Sequence, residues 1–457
     1  MSKFTRRQFL GAAVAGATIG PNLLAQARRR PNILFILADD LGYGDLSCYG
    51  RPDYQTPNLD QLSTQGVRLL NAYSASPVCT PTRCAFITGR YPARTRVGLE
   101  EPLTERSDLG EKSLTLGLPP EHPTIASLLK HNGYDTALIG KWHLGYLPNF
   151  GPIQSGFDEF FGIMSGAVDF FTHKDMTGNL DFYEGKVPVE RVGYVTQMLT
   201  ERAVQYISRR RKGRTSRPFY LSLHYTAPHW PWEGPADEPV SRTLGLGYNA
   251  FVSGGSLKTY AQMMRSLDNG IGQVLRVLDQ SDLSRDTLVI FTSDNGGERF
   301  SYNWPFTGQK FSLWEGGIRV PAIVRWPGVV QAGQVSRRVA ITMDWTATIL
   351  AATQTKADPA YPLDGFDLLP LLRDPRRTAT RRTLFWRNSN QSAALKDRWK
   401  YLNDGTQQYL FDLAVDERER ADFSKKNPAM FEQLKTEYQR WESTVLPRPA
   451  PRERRND

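Results

Sequence analysis

Cysteine is scarce in this chain, with three in 457 residues, at positions 48, 79 and 84. Three thiols exclude a disulfide-stapled scaffold and leave room for one bridge at most. Long apolar runs are missing as well: the one candidate, near the N-terminus, is broken at Gly20-Pro21 and falls short of the ~20 residues a membrane span needs. There is no internal repeat and no low-complexity tract, although 38 glycines and 30 prolines imply many turns, so repeat arrays are excluded. At 40% hydrophobic and 23% charged, the chain can bury a sizeable core. Its length exceeds one average domain of roughly 100–200 residues, so one large domain and one small one are expected. The net charge of +10 has the sign of a nucleic-acid binder, but no nucleic-acid fold motif accompanies it. Much of the charge lies in the first thirty residues and in short runs such as "RRRKGR" and "RDPRRTATRR", which read as solvated loops. A small anionic substrate is the partner that balance favours.

The N-terminal stretch "TRRQFLGAAVAGATIGPNLLAQA" sets Arg6-Arg7 before Phe9-Leu10 and a mild apolar segment, then ends in the small-x-small site Ala25-Gln26-Ala27. It resembles a bacterial twin-arginine export signal over residues 1–27. The resemblance implies passage through the twin-arginine machinery, a periplasmic or secreted mature protein, and no stable membrane insertion. Removal of the segment lowers the net charge to about +7.

Beyond it, buried-strand and amphipathic-helix signals alternate. "PNILFILADDLGYGD" opens with a continuous apolar run, Ile33 to Leu37, the pattern of a parallel strand covered on both faces, and Asp39-Asp40 fall at its carboxyl end. "DTLVIFTSDNGG" repeats that design with Leu288 to Phe291 followed by Asp294 and Asn295. "HPTIASLLKHNGYDTALIGKWHLG" reads as a helix stopped at Gly133 and then a strand. "KTYAQMMRSLDNGIGQVLRVLD" carries Met264, Leu267, Ile271, Val274 and Leu278 as one apolar stripe. The alternation predicts an α/β fold with a large, mostly parallel sheet flanked by helices, over residues 31–371. From residue 372 to 445 the texture changes to short β-rich segments with an Asp-Gly turn at 404–405, followed by a closing helix: a small antiparallel sheet. Residues 446–457 read as a disordered tail.

Open α/β sheets bind ligands beyond the carboxyl ends of their strands, so the two acidic pairs are expected to meet in one crevice. Asp39, Asp40, Asp294 and Asn295 then form a hard oxygen-donor set suited to Ca²⁺ or Mg²⁺ and poor for zinc. Taken singly, each pair is an ordinary turn or cap before glycine; their joint occurrence at two strand ends favours the metal. "GKWHLG" is expected to point Lys141 and His143 to one face, by strand alternation, as an anion holder and a proton-transfer group. His229 in "TAPHWPWEG" and Lys310 in "FTGQKFSLWEGG" are further candidates. Trp230, Trp232, Trp304 and Trp314 nearby either offer flat faces to a sugar ring or fill the core. Cys79 can be read as one half of a disulfide with Cys48 or Cys84, or as a buried thiol.

The Cys-x-Pro-x-Arg arrangement of Cys79, Pro81 and Arg83, followed by "ITGR" at 87–90, resembles the signature of the sulfatase family. Asp39-Asp40, "GKWHLG", "TAPHWPW", "SDNGG" and "GQKFSLWEGG" stand in that family's order, so the resemblance covers residues 31 to 445 and is nearest the arylsulfatase A and N-acetylgalactosamine-6-sulfatase type. One departure is Thr82, where many relatives carry serine, which bears on whether Cys79 is modified. The resemblance implies an alkaline phosphatase-like fold and hydrolysis of an aryl or carbohydrate sulfate ester. It implies that a formylglycine-generating enzyme converts Cys79 to Cα-formylglycine, whose hydrated form attacks sulfur beside the cation held by Asp39, Asp40, Asp294, Asn295 and position 79. Lys141, Lys310 and Arg83 share the sulfuryl charge, Arg83 also steadies the diol, His143 assists its proton loss, His229 serves the leaving oxygen, and Ser165 contacts the sulfate region. Two alternatives stay open: a phosphodiesterase or phosphonate monoester hydrolase of the same superfamily, and a non-catalytic sulfated-glycan binder with unmodified Cys79.

Overall fold

A computed structural model describes residues 30–100, 115–210, 217–374, 376–378 and 381–449. The export-signal segment, most of "RRRKGR" and tail residues 450–457 lie outside the described residues, as do 375, 379 and 380 of "RDPRRTATRR".

The apolar runs become strands because each is covered on both faces. The large sheet is built from β1 (Asn32–Ala38), β2 (Val67–Tyr73), β3 (Asp135–Gly140), β4 (Glu159–Gly162), β5 (Tyr183–Glu184), β6 (Val187–Pro188), β7 (Phe219–His224), β8 (Thr287–Ser293), β9 (Arg319–Arg325) and β10 (Gln334–Ile341), in the order β10-β2-β9-β8-β1-β7-β3-β4-β5-β6. The central run β8-β1-β7-β3-β4 is parallel throughout. β9 runs antiparallel between β8 and β2, and β5 and β6 finish the far edge as an antiparallel pair.

Alternation along β1 divides the core. Leu34, Ile36 and Ala38 pack with the helices at 195–208 and 257–280, and Ile33, Phe35 and Leu37 with those at 79–88, 125–131 and 342–352 on the other face. In chain order the long helices are α1 (Pro57–Thr64), α2 (Cys79–Thr88), α3 (Ile125–His131), α4 (Val195–Ser208), α5 (Leu257–Gln280), α6 (Thr342–Ala352) and α7 (Pro428–Glu442). The expected stripe on α5 is fully buried, Met264 included, so its methionines are core. α3 starts at a capping box, in which Thr124 accepts from the Ser127 amide, and its expected stop, Gly133, has φ +81°.

A second sheet of four antiparallel strands, β11 (Thr383–Asn388), β12 (Gln391–Lys396), β13 (Trp399–Asn403) and β14 (Gln408–Asp412), is closed by α7. Asp404 caps the β13–β14 loop by accepting from the amides of Thr406 and Gln407. This sheet shares a core with Tyr73 and Ile341 of the larger one and with Ala75, Ile318 and Met343 beside its strands. The expectation of a disordered tail from residue 446 is corrected at its start: the Leu446 amide donates to the Ala93 carbonyl, and Arg448 bonds Ser392 Oγ, Tyr438 Oη and Glu442. A guanidinium has five donors, enough to pin a short segment of polar sequence. No helix among the described residues is long and apolar enough to cross a membrane.

Candidate active site

The parallel register brings the chemistry to one edge. Ala38 pairs with Ser293, and Leu37 and Gly140 both pair with His224, so β1, β3, β7 and β8 end level with one another. Gly140 makes the β3 approach feasible: its φ is +117°, and a Cβ there would sit 1.7 Å from the His224 carbonyl oxygen. Just past these ends stand Asp39, Asp40, Lys141 and Asp294. Cys79 joins them as the first residue of α2, where backbone amides have no intrahelical partner and the helix dipole is positive.

Asp39, Asp40, Cys79 and His229 present ligating atoms all within 4.8 Å of one another, and all four are buried. Lys141 Nζ donates to Asp39 Oδ2 at 2.7 Å, and Lys310 Nζ to Asp40 Oδ2 at 2.7 Å. Arg83 Nη2 donates to Asp294 Oδ2 at 2.8 Å and lies 3.4 Å from Asp39 Oδ1. Asn295 Nδ2 donates to Asp40 Oδ1 at 2.7 Å, and the Asp40 amide to Asp294 Oδ1 at 3.1 Å. Three carboxylates and three cations are thereby interleaved in a water-poor knot.

Burial and the charge of Asp39 push Asp294 up to about 6. Burial, then the Lys310 charge, hold His229 well below its usual range. Burial works against the Lys310 ammonium, but Asp40 overrides it and keeps Lys310 charged. Burial also raises the Cys79 thiol, so it stays protonated despite two neighbouring lysines.

The donor set fits a hard cation. Asp39 Oδ1 and Asn295 Oδ1 are buried and accept no hydrogen bond among the described residues. A buried acceptor left unpaired costs roughly 1–3 kcal/mol, and oxygen donors are what Ca²⁺ and Mg²⁺ take. His229 adds a ring nitrogen to the cluster, and Asp294 accepts from the Asp40 amide through Oδ1 and from Arg83 through Oδ2. His229 Nδ1 faces the Trp230 carbonyl at 2.7 Å and so carries the proton, leaving Nε2 to accept from Lys310 at 3.2 Å.

Other placements were less legible. β3 ends at Gly140, so alternation does not govern Lys141 and His143; His143 adopts φ +57° and its ring lies over Gly166, where a Cβ would meet Nε2 at 2.8 Å. Its carbonyl accepts from Thr80, next to Cys79. Ser165 donates its hydroxyl to the Ala167 carbonyl and its amide to Asp181, which commits it to its own loop. All three cysteines are free thiols, so position 79 is in no disulfide. Thr82 closes the turn before α2 by bonding both backbone groups of Ser76.

Two residues escaped sequence reasoning. His224, at the end of β7, contacts the Lys141 carbonyl at 3.1 Å and Ser222 Oγ at 2.8 Å, and so braces the peptide that Arg83 also grips. Asp45, the last residue of "DDLGYGD", accepts from the Gly42 amide, Tyr260 Oη, Ser301 Oγ, the Tyr302 amide and Arg51. It ties the loop after β1 to the loop after β8, which between them hold Asp39, Asp40, Asp294 and Asn295. The only local signal was an acid beside two glycines. Asp45→Asn, which keeps the shape and loses the charge, is expected to weaken divalent-ion affinity by about 10–100-fold, as outer-shell changes do; a metal titration of activity measures it.

Aspartates, lysines and a helix N-terminus gathered at the carboxyl edge of a mostly parallel sheet define a hydrolase of the alkaline phosphatase-like fold. The family model described as Sulfatase matches residues 31–355. N-acetylgalactosamine-6-sulfatase of Sus scrofa is 34% identical over 412 residues, covering 86% of this chain and 74% of that protein. Arylsulfatase J of Mus musculus is 29% identical over 489 residues, covering 94% and 78%. The crystal structure of Ps i-CgsB in complex with k-i-k-neocarrahexaose has a TM-score of 0.79 at 28% identity, covering 93% of this chain and 95% of that one. PsFucS1 sulfatase from Pseudoalteromonas sp. has a TM-score of 0.74 at 26% identity, with coverage of 93% and 92%. The chain belongs to the sulfatase family, and it is a sulfatase enzyme.

Proposed function

We propose that the protein removes sulfate from a carbohydrate ester, with position 79 as nucleophile after conversion to Cα-formylglycine, and that it acts in the periplasm or medium after twin-arginine export. The observation that carries this reading is the buried knot of Asp39, Asp40, Cys79 and His229, with Lys141, Lys310 and Arg83 around it. Carbohydrate is favoured by the names of the relatives, by the oligosaccharide bound to Ps i-CgsB, and by the aromatic residues near His229.

Asp39, Asp40, Asp294, Asn295 and position 79 would hold the divalent ion, Ca²⁺ or Mg²⁺, which supplies Lewis acidity and lowers the pKa of a bound hydroxyl. The hydrated aldehyde supplies a nucleophilic hydroxyl and a second one whose proton loss lets sulfate leave. The chain's own residues do the rest. Lys141, Lys310 and Arg83 supply fixed positive charge for the sulfuryl oxygens, in a site dry enough for such charge to count heavily. Arg83 is itself held by Asp294 and the Lys141 carbonyl, so it needs no rearrangement when charge develops. His229 Nε2 and Lys310 Nζ hold a proton between them, and that is where the departing oxygen would find one. His143, anchored beside Thr80, would take the proton released by the second hydroxyl.

Mass spectrometry of the peptide spanning Cys79, with parallel assays of sulfate and phosphate esters of one phenol, tests the proposal. Loss of the thiol, gain of an aldehyde and preference for the sulfate ester are expected. Faster phosphate release points to the phosphodiesterase or phosphonate hydrolase reading, and an unmodified, inactive protein to the glycan binder. Chelation of divalent ions is expected to abolish sulfate release, and Ca²⁺ or Mg²⁺ to restore it.

A further inference from the structure

Glu298 follows the Asp294–Gly297 turn and is not needed by the mechanism above. Its side chain keeps 17% exposure, while Lys310 and His229 beneath it keep 3% and 4%. Glu298 Oε2 accepts from Trp230 Nε1 at 3.0 Å and lies 3.8 Å from Lys310 Nζ. The Trp230 ring in turn stands 4.2 Å from the His229 ring, and the exposed Tyr248 meets it edge-on at 5.5 Å. On the other side, the exposed Phe311 lies 5.2 Å from Lys310 Nζ. The carboxylate is therefore at the mouth of the site, on the side where His229 meets the leaving group. No hydrogen bond to Glu298 Oε1 is present among the described residues, and the side chain is part exposed.

A carboxylate at the mouth of a sulfate pocket is placed to act on the leaving group as well as to hold Trp230. Every other carboxylate here, Asp39, Asp40 and Asp294, is matched by a cation at bonding distance, whereas Glu298 has only a lysine already claimed by Asp40. An unmatched carboxylate accepts strongly from a hydroxyl and repels a second anion. We propose that Glu298 is a specificity-determining residue: it accepts a hydrogen bond from a sugar hydroxyl adjacent to the scissile ester and rejects a sugar that carries a second sulfate there. The assignment rests on the carbohydrate sulfatase reading and names its substrate class, monosulfated rings with a free neighbouring hydroxyl.

The test compares wild type, E298Q and E298D on two esters of one hexopyranoside: a monosulfate with a free vicinal hydroxyl and the vicinal disulfate. Wild type is expected to prefer the monosulfate, and E298Q to shrink that preference by tenfold or more, through a higher KM for the monosulfate and a lower KM for the disulfate. E298D, which keeps the charge, is expected to retain the order of preference. Equal changes on both esters in E298Q, loss of discrimination in E298D, or a wild-type preference for the disulfate overturns the assignment. Absence of sulfate release by the modified wild type from either ester overturns the hydrolase reading, and this inference with it. Melting curves of each variant separate altered recognition from unfolding.

Discussion

Cys79→Ala is expected to lower turnover on any sulfate ester by at least about 10⁴-fold, because the proposed reaction loses its nucleophile rather than a supporting contact. The fold should survive, since Cys79 contributes a small buried side chain at the first turn of α2, whose packing rests on Phe86 and Ile87. Steady-state kinetics with a melting curve read the two effects separately. Cys79→Ser sharpens the point. It keeps a hydroxyl in the same place but lacks the second one, so an ester formed on serine has no internal route for expelling sulfate. A single turnover that leaves sulfate on the protein is expected, seen as a mass increase on the position-79 peptide. Full multiple turnover by Cys79→Ser would sink the aldehyde mechanism.

Lys400→Met is expected to give the largest loss of stability of any single change outside the site. Lys400 is fully buried on β13, donates to Glu315 at 2.9 Å and forms an ion pair with Glu419 at 2.7 Å. Arg319 and Tyr73 complete the cluster by bonding Glu315. Glu419 also accepts from the Glu315 amide, at the end of the segment that carries Lys310. Removing the lysine leaves two buried carboxylates with one cation between them, a change that costs about 3–5 kcal/mol. Because this cluster joins the second sheet to the Lys310 segment, sulfate release should fall before global unfolding as urea is raised.

The same cluster sets a pH signature. Burial and the charge of Glu315 lift Glu419 from its ordinary 4.5 to about 7. A carboxyl whose folded pKa is raised contributes stability that is complete below pH 4.5 and disappears as pH rises through 7. Glu419→Gln should flatten the fall in stability over that window, read from urea midpoints between pH 4.5 and 7.5.

How much of this was legible varies residue by residue. Asp39-Asp40 and Asp294-Asn295 could be placed at strand ends because the apolar runs before them are long enough to require burial on both faces, and such strands end where polarity returns. The Gly133 stop and the stripe on α5 rest on equally local rules. The rule of alternation did not reach His143, since β3 ends at Gly140 and a left-handed turn follows. His224 and Asp45 drew no reading, because their partners lie on distant strands and loops.

Fold class, strand ends and the helix stopped at Gly133 were determined by the sequence alone, because each depends on side-chain period and turn chemistry within about a dozen neighbouring residues. Partner choice was decided by the tertiary structure: Lys141 on Asp39, Lys310 on Asp40, Arg83 on Asp294, Glu298 on Trp230 and Lys400 between Glu315 and Glu419. These pairs come from different strands and loops, and strand order and register bring them together. A carboxylate buried with one cation rather than another differs by a contact distance of an ångström or two, and it is the packed sheet that sets that distance.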